Sequence, residues 1–309
     1  MIKEKALRKI VISLSCLFIL GILYIFPDNN NDISSNIVSN NKETDVIYLK
    51  DSNDYISRVN TILTNTNKED KIKEIISILT IGSNKYIRDG FNKLIPKNTK
   101  VLNVSIIDKL VKINFSKEIL NVDLKNEEKM IEAIVYSLTS LDNIKFVSIY
   151  VEGNILNRLP NSNRRLNTIL DRSIGINKEF NITEITNSTK TTIYYLSKHD
   201  DFYYYVPVTK ISNDNMSKIE IIIKELNSNK MLNTNLISYL NSNTELLSYN
   251  ETDKTLLLNF NEGILNDITT NNILEEVTYS INLSISDNYE VDEVLYYVND
   301  KILTTFKIN

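Results

Sequence analysis

His199 is the only histidine of the chain and stands beside Asp200 and Asp201. An imidazole next to carboxylates is the pattern of a general base, since the acid fixes the tautomer and the ring exchanges its proton near neutral pH. Here the trio falls in a turn between two extended segments, where a solvated histidine is the ordinary case. Ser116 precedes Lys117-Glu118 and reads as a turn or helix cap, not as a nucleophile. No Gly-x-Ser-x-Gly elbow, phosphate-cradling glycine loop or His-Glu-x-x-His zinc helix occurs. No spacing of Asp and Glu singles out a pair for glycoside cleavage. Cys16 is the sole cysteine, so an intrachain disulfide and a cysteine-type metal site are both excluded. The reading is a protein that is not an enzyme, with no catalytic, metal or cofactor residues.

What the chain does contain is a repeat of itself. Asn114-Phe115-Ser116-Lys117-Glu118-Ile119-Leu120 returns as Asn259-Phe260-Asn261-Glu262-Gly263-Ile264-Leu265. In the same order, Ile95 to Leu102 matches Leu240 to Leu247, and Tyr150 to Leu156 matches Tyr297 to Leu303. A period this long is domain-sized, so the chain carries two copies of one globular unit.

Ahead of the repeats, Lys3, Lys5, Arg8 and Lys9 precede an apolar run over residues 10–26, closed by Pro27-Asp28. At about 1.5 Å per residue the run spans roughly 26 Å, enough for a bilayer core. Bulky Leu23, Tyr24, Ile25 and Phe26 reach up to the proline where a cleaved signal peptide would need small residues. Residues 1–27 therefore read as a retained single-pass anchor, with the N-terminus cytoplasmic and all that follows extracytoplasmic. Cys16 does not sit in a lipobox, because Ser13 takes the place of the expected leucine and the apolar run continues past it. Residues 28–44, rich in Asn and Ser, form a flexible linker. The formal net charge is -4, from 35 basic and 39 acidic residues. Nothing in that balance draws the chain onto nucleic acid.

The elements follow from periodicity. Val46 to Lys50 and Tyr55 to Leu63 read as strands. Ile72, Ile75, Ile76 and Leu79 mark a helix stopped at Gly82. Val101 to Ile107 and Leu110 to Phe115 form a hairpin about Asp108-Lys109. A second helix runs over Asn126 to Leu141, followed by a strand at Phe146 to Val151. The second copy repeats this order, with helices at Lys218 to Leu226 and Thr269 to Leu283. The fold class is α+β, with two tandem small domains after one transmembrane helix. In each, two helices pack on one mostly antiparallel sheet in the order β-β-α-β-β-α-β. The domains span 45–157 and 191–309, joined by a connector over 158–190. Within the second, Phe202, Tyr203, Tyr204 and Tyr205 precede Pro207 and form a candidate interaction edge, since proline favours an outer strand. Packing inside the domain and over the connector is the other reading, and Tyr296-Tyr297 is expected on the same surface.

At Leu94 to Val101, Val111 to Glu118, Ile134 to Thr139 and Tyr150 to Gly153 the sequence resembles the GerMN domain. The match extends over both copies, and Ser173 to Phe180 resembles the connecting segment of tandem members of that family. Pro96, Ser116 and Gly153 are replaced by Asn241, Asn261 and Asp300, a pattern expected of turn and cap residues rather than catalytic ones. The resemblance implies a non-catalytic envelope protein of spore formation and germination. It further implies small ring-building domains that support the channel between mother cell and forespore, so the expected partners are envelope proteins of the sporulation machinery. A module that holds peptidoglycan through exposed Tyr and Asn side chains is the alternative.

Overall fold

A computed structural model of the chain describes residues 44–182, 188–228, 234–267 and 269–308. The anchor expected over 10–26, with Cys16, and nearly all of the linker lie outside the described residues. Among those described, no helix is long and apolar enough to cross a membrane.

The first copy contains β1 (Asp45–Asp51), β2 (Ile56–Thr61), α1 (Lys68–Leu79), β3 (Phe91–Asn92), β4 (Val101–Ile107), β5 (Leu110–Phe115), α2 (Glu127–Leu138), β6 (Phe146–Val151) and β7 (Asn154–Ile155). The connector adds β8 (Glu179–Asn181). The second copy contains β9 (Thr189–His199), β10 (Phe202–Ser212), α3 (Lys218–Leu226), β11 (Leu246–Thr252), β12 (Thr255–Phe260), α4 (Glu275–Asn288), β13 (Glu293–Val298) and β14 (Lys301–Lys307). The predicted elements occur in order in both copies, with β3 added in the first and a closing strand, β7 or β14, added to each.

Local chemistry sets the helix ends. Asn67 caps α1 by accepting the Glu69 N–H at 2.9 Å, and Ile72, Ile75, Ile76 and Leu79 are its buried stripe. The helix ends at Thr80, which is extended. Gly82 is not its stop; it lies further on, where a φ of 79° turns the chain away. Ser217 and Glu220 form a reciprocal capping box on α3. Two predicted spans shift. α2 ends at Leu138, where Thr139 and Ser140 turn their hydroxyls onto the carbonyls of Val135 and Tyr136. α4 starts at Glu275 rather than Thr269, because Asp267 accepts the Thr269 N–H and binds the preceding residues into a turn.

The strand arrangement departs from the expected one sheet per domain. Each copy divides its strands between two sheets. β4-β5-β6-β7 and β11-β12-β13-β14 are equivalent four-stranded sheets, each with a parallel central pair, β5 with β6 and β12 with β13. The β12 strand is thus internal. The opening hairpins of the two copies join in one further sheet, ordered β3-β1-β2-β10, with β9 on the far side of β10 and β8 alongside its end. α2 packs along β1 and α4 along β9, while α1 and α3 pack against them. One apolar cluster, from Ile47 to Tyr296, runs through both copies.

Glu74 of α1 ties the segment after β2 to the helix. It is buried, and it accepts from Thr64 N at 2.9 Å, Thr64 Oγ1 at 2.7 Å, Asn65 Nδ2 at 2.9 Å and Lys85 Nζ at 2.8 Å. Burial alone would raise its carboxyl, but Lys85, Thr64 and Asn65 outweigh that and hold it at about 2 against an ordinary 4.5. Because the folded value is depressed, the stabilisation is complete above about pH 4.5 and disappears as the pH falls toward 2. It amounts to about 3 kcal/mol at most. Glu74→Gln should lower stability at pH 7, with the two proteins converging near pH 2. Urea midpoints measured across that window check this, and parallel curves would show that the carboxylate contributes nothing.

Candidate interaction surface

The joint between the copies is built from residues that neither copy owns alone. β10 meets β2 by one direct backbone pair, Tyr205 with Arg58. The ladder would next bring Ile56 opposite Pro207, which has no N–H to give. Asn177 of the connector fills this gap. Its Oδ1 accepts the Ile56 N–H at 2.8 Å, and its Nδ2 donates to the carbonyls of Ile56 at 2.8 Å and Pro207 at 2.7 Å. Ile176 and Thr209 then exchange hydrogen bonds, and β8 completes that side of β10. Lys178 pairs with Glu128 and Glu132 of α2.

A second tie crosses the sheet face. The phenols of Tyr48 and Tyr194, equivalent residues of the two copies, meet at 2.9 Å. Tyr194 donates to Asp287 of α4 at 2.8 Å, and Asp287, itself buried, pairs with Arg172 of the connector. Arg172 also donates to Thr139 and Ser140 at the end of α2 and lies over the rings of Tyr48 and Tyr136. Burial opposes the charge on Arg172, but Asp287 outweighs it and raises its pKa well above the usual value. Burial and Asp287 push both Tyr194 and Tyr136 well up, so these phenols stay neutral donors.

The aromatic run is part of this joint and not an edge. β10 is paired with β9 along its whole length and with β2, Asn177 and β8 on its other side. Pro207 sits in an inner strand because a side-chain amide replaces what it lacks. Tyr204 and Tyr205 are buried. Tyr204 donates to Asp51 of the first copy at 3.0 Å, beside Ser57 and Ser197, and packs edge-on against Phe91. Phe202 and Tyr203 are half-buried, Phe202 beneath the guanidinium of Arg88. Tyr296 lies in another sheet, stacked on Phe260, so the expected common surface does not exist. His199 ends β9 half-buried, its ring against Gly90, where an added Cβ would come within 2.4 Å of the imidazole.

The substituted positions keep their structural jobs. Ser116 Oγ accepts the Lys100 N–H at 2.9 Å, and Asn261 Oδ1 accepts the Glu245 N–H at 3.0 Å. Glu152-Gly153 and Asn299-Asp300 are both left-handed turn pairs, held by Asn114 and Asn259 on the N–H of Gly153 and Asp300. Sequence reasoning missed Arg172, Asn177 and Asp287. The left-handed Asn177, inside a segment that already resembled the family connector, was the available signal.

Edges decide what the molecule offers to partners. The outer side of β1 is occupied by β3 and by Ser137, which accepts the Tyr48 N–H at 2.8 Å. That of β9 is occupied by Ser284 on Tyr194, Asn288 on both backbone groups of Thr192, and Ile237 on Leu196. By contrast, β4 and its counterpart β11 pair on one side only among the described residues. Both carry exposed apolar side chains, with Leu102 at 48%, Ile107 at 51%, Leu247 at 49% and Tyr249 at 43%. Seven-residue edges of this kind are templates for an added strand. On the outer face of the second sheet, Ser248, Asn250, Asn259 and Tyr297 line a cleft of about 380 Å³.

These features define a tandem α+β protein whose two copies are fused through a common sheet and leave matching edges open. A family model described as "Germane: Sporulation and spore germination" matches residues 46–157 and 192–304, and the chain belongs to that family. It is 30% identical over 263 residues to the spore germination protein GerM of Bacillus subtilis, covering 82% of this chain and 71% of that protein. The solved tandem GerMN domains of the same B. subtilis protein superimpose with a TM-score of 0.75 at 28% identity, over 84% of this chain and 91% of that one.

Proposed function

We propose that this sporulation and germination protein is a non-catalytic scaffold, held outside the cytoplasm by residues 10–26, that supports assembly of an envelope complex such as the channel between mother cell and forespore. The pair of equivalent open edges, β4 and β11, on one compact unit carries the reading. A partner strand added there gains main-chain hydrogen bonds, with specificity from the exposed apolar residues beside it. Its test is Ile107→Lys combined with Tyr249→Lys. Both side chains are largely exposed, so the melting temperature should stay within about 2 °C, while recovery of envelope proteins by crosslinking from sporulating cells should fall at least tenfold. Unchanged recovery would remove these edges from the scaffold. The cleft lined by Ser248, Asn250, Asn259 and Tyr297 favours a second reading, a module for wall glycan, because amides and a phenol suit hydroxyl-rich ligands. Sedimentation with purified cell wall in the absence of other proteins separates the two.

A further inference from the structure

The connector opens with a hairpin of its own. After β7 the chain makes a small hairpin over residues 157–166. Leu159 donates to the Arg164 carbonyl at 2.9 Å and Leu166 to that of Asn157 at 2.8 Å, which places Arg158 and Arg165 directly opposite each other. The loop is well anchored. Leu159 is buried, Glu127 of α2 accepts the N–H groups of Asn161 at 2.7 Å and Ser162 at 3.1 Å, and Asn161 donates to the Val122 carbonyl at 2.7 Å. Arg164 pairs with Glu128. Arg158 donates to the Asn163 carbonyl at 2.9 Å, and Arg165 has no partner among the described residues. Beside the two arginines lies an open cavity of about 640 Å³, also lined by Asn157, Asn167 and Thr168 and by no carboxylate.

Like charges directly opposite each other across a hairpin are destabilising. Two guanidinium groups, with amides and a hydroxyl alongside, match the oxygens of a phosphate. We propose that the Arg158–Arg165 cavity is a binding site for a phosphate-bearing anion, either a soluble polyphosphate or the headgroup of an anionic lipid.

The compact unit Lys42–Asn309, which contains the whole apolar cluster, is the protein to test. Titration with tripolyphosphate, and flotation with phosphatidylglycerol against phosphatidylcholine vesicles, distinguish the sources. Binding of tripolyphosphate assigns a soluble anion; binding only to phosphatidylglycerol vesicles assigns a headgroup. In either case Arg165→Gln should weaken binding by about tenfold or more. Arg165→Glu should abolish it while raising the melting temperature by about 1–3 °C, because an opposite charge then faces Arg158. Absence of binding to both probes, or binding unchanged in Arg165→Gln, would overturn the proposal.

Discussion

Tyr204→Glu is expected to leave no cooperative unfolding transition at pH 7. The substitution sets a carboxylate beside Asp51, within reach of the oxygen that Tyr204 now bonds at 3.0 Å, in a site that water does not reach. It also removes the ring that packs against Phe91 and Phe202. An unpaired buried charge together with the loss of an aromatic core side chain exceeds about 5 kcal/mol, comparable with the whole stability of many domains. Tyr204→Phe is the control. Asp51 keeps Ser57 and the N–H groups of Asn53 and Tyr55, so this change should cost only about 1–2 kcal/mol. Circular dichroism with urea titration checks both. A folded Tyr204→Glu protein with an unchanged midpoint would restore the run 202–205 as an exposed surface.

The second large effect is at the tie between connector and helix. Asp287→Ala strands the Arg172 guanidinium and the Tyr194 phenol in the joint and should cost about 3–5 kcal/mol; Arg172→Ala should do likewise by stranding Asp287. The double change Arg172→Met with Asp287→Leu removes both charges and fills their space, and should fall within about 1–2 kcal/mol of the parent. Strictly additive losses would mean that the two side chains do not act as a pair.

Much of the fold was legible because it is local. The stripe Ile72, Ile75, Ile76, Leu79 and the alternation Val111, Ile113, Phe115 each report a buried face directly, and the repeat fixed the same order twice. The start of α4 was misplaced because its cause, the turn closed by Asp267, is side-chain chemistry that periodicity does not record. The joint was not legible at all. A proline normally marks an outer strand, and only the arrival of Asn177, thirty residues earlier in the chain, lets Pro207 lie inside a sheet. The open edges escaped for a related reason: whether a strand is outermost depends on strand order, and β1 and β9 are closed off by side chains from α2 and α4.

The contact between Tyr48 and Tyr194 pairs one position with its own duplicate. Two separate polypeptides, each with a single copy, would make such a contact as a self-complementary homodimer about a two-fold axis. This chain holds both halves of that dimer on one backbone, so its assembly needs no encounter and does not weaken on dilution. Joining the halves also released them from identity, as Pro96, Ser116 and Gly153 of one against Asn241, Asn261 and Asp300 of the other show.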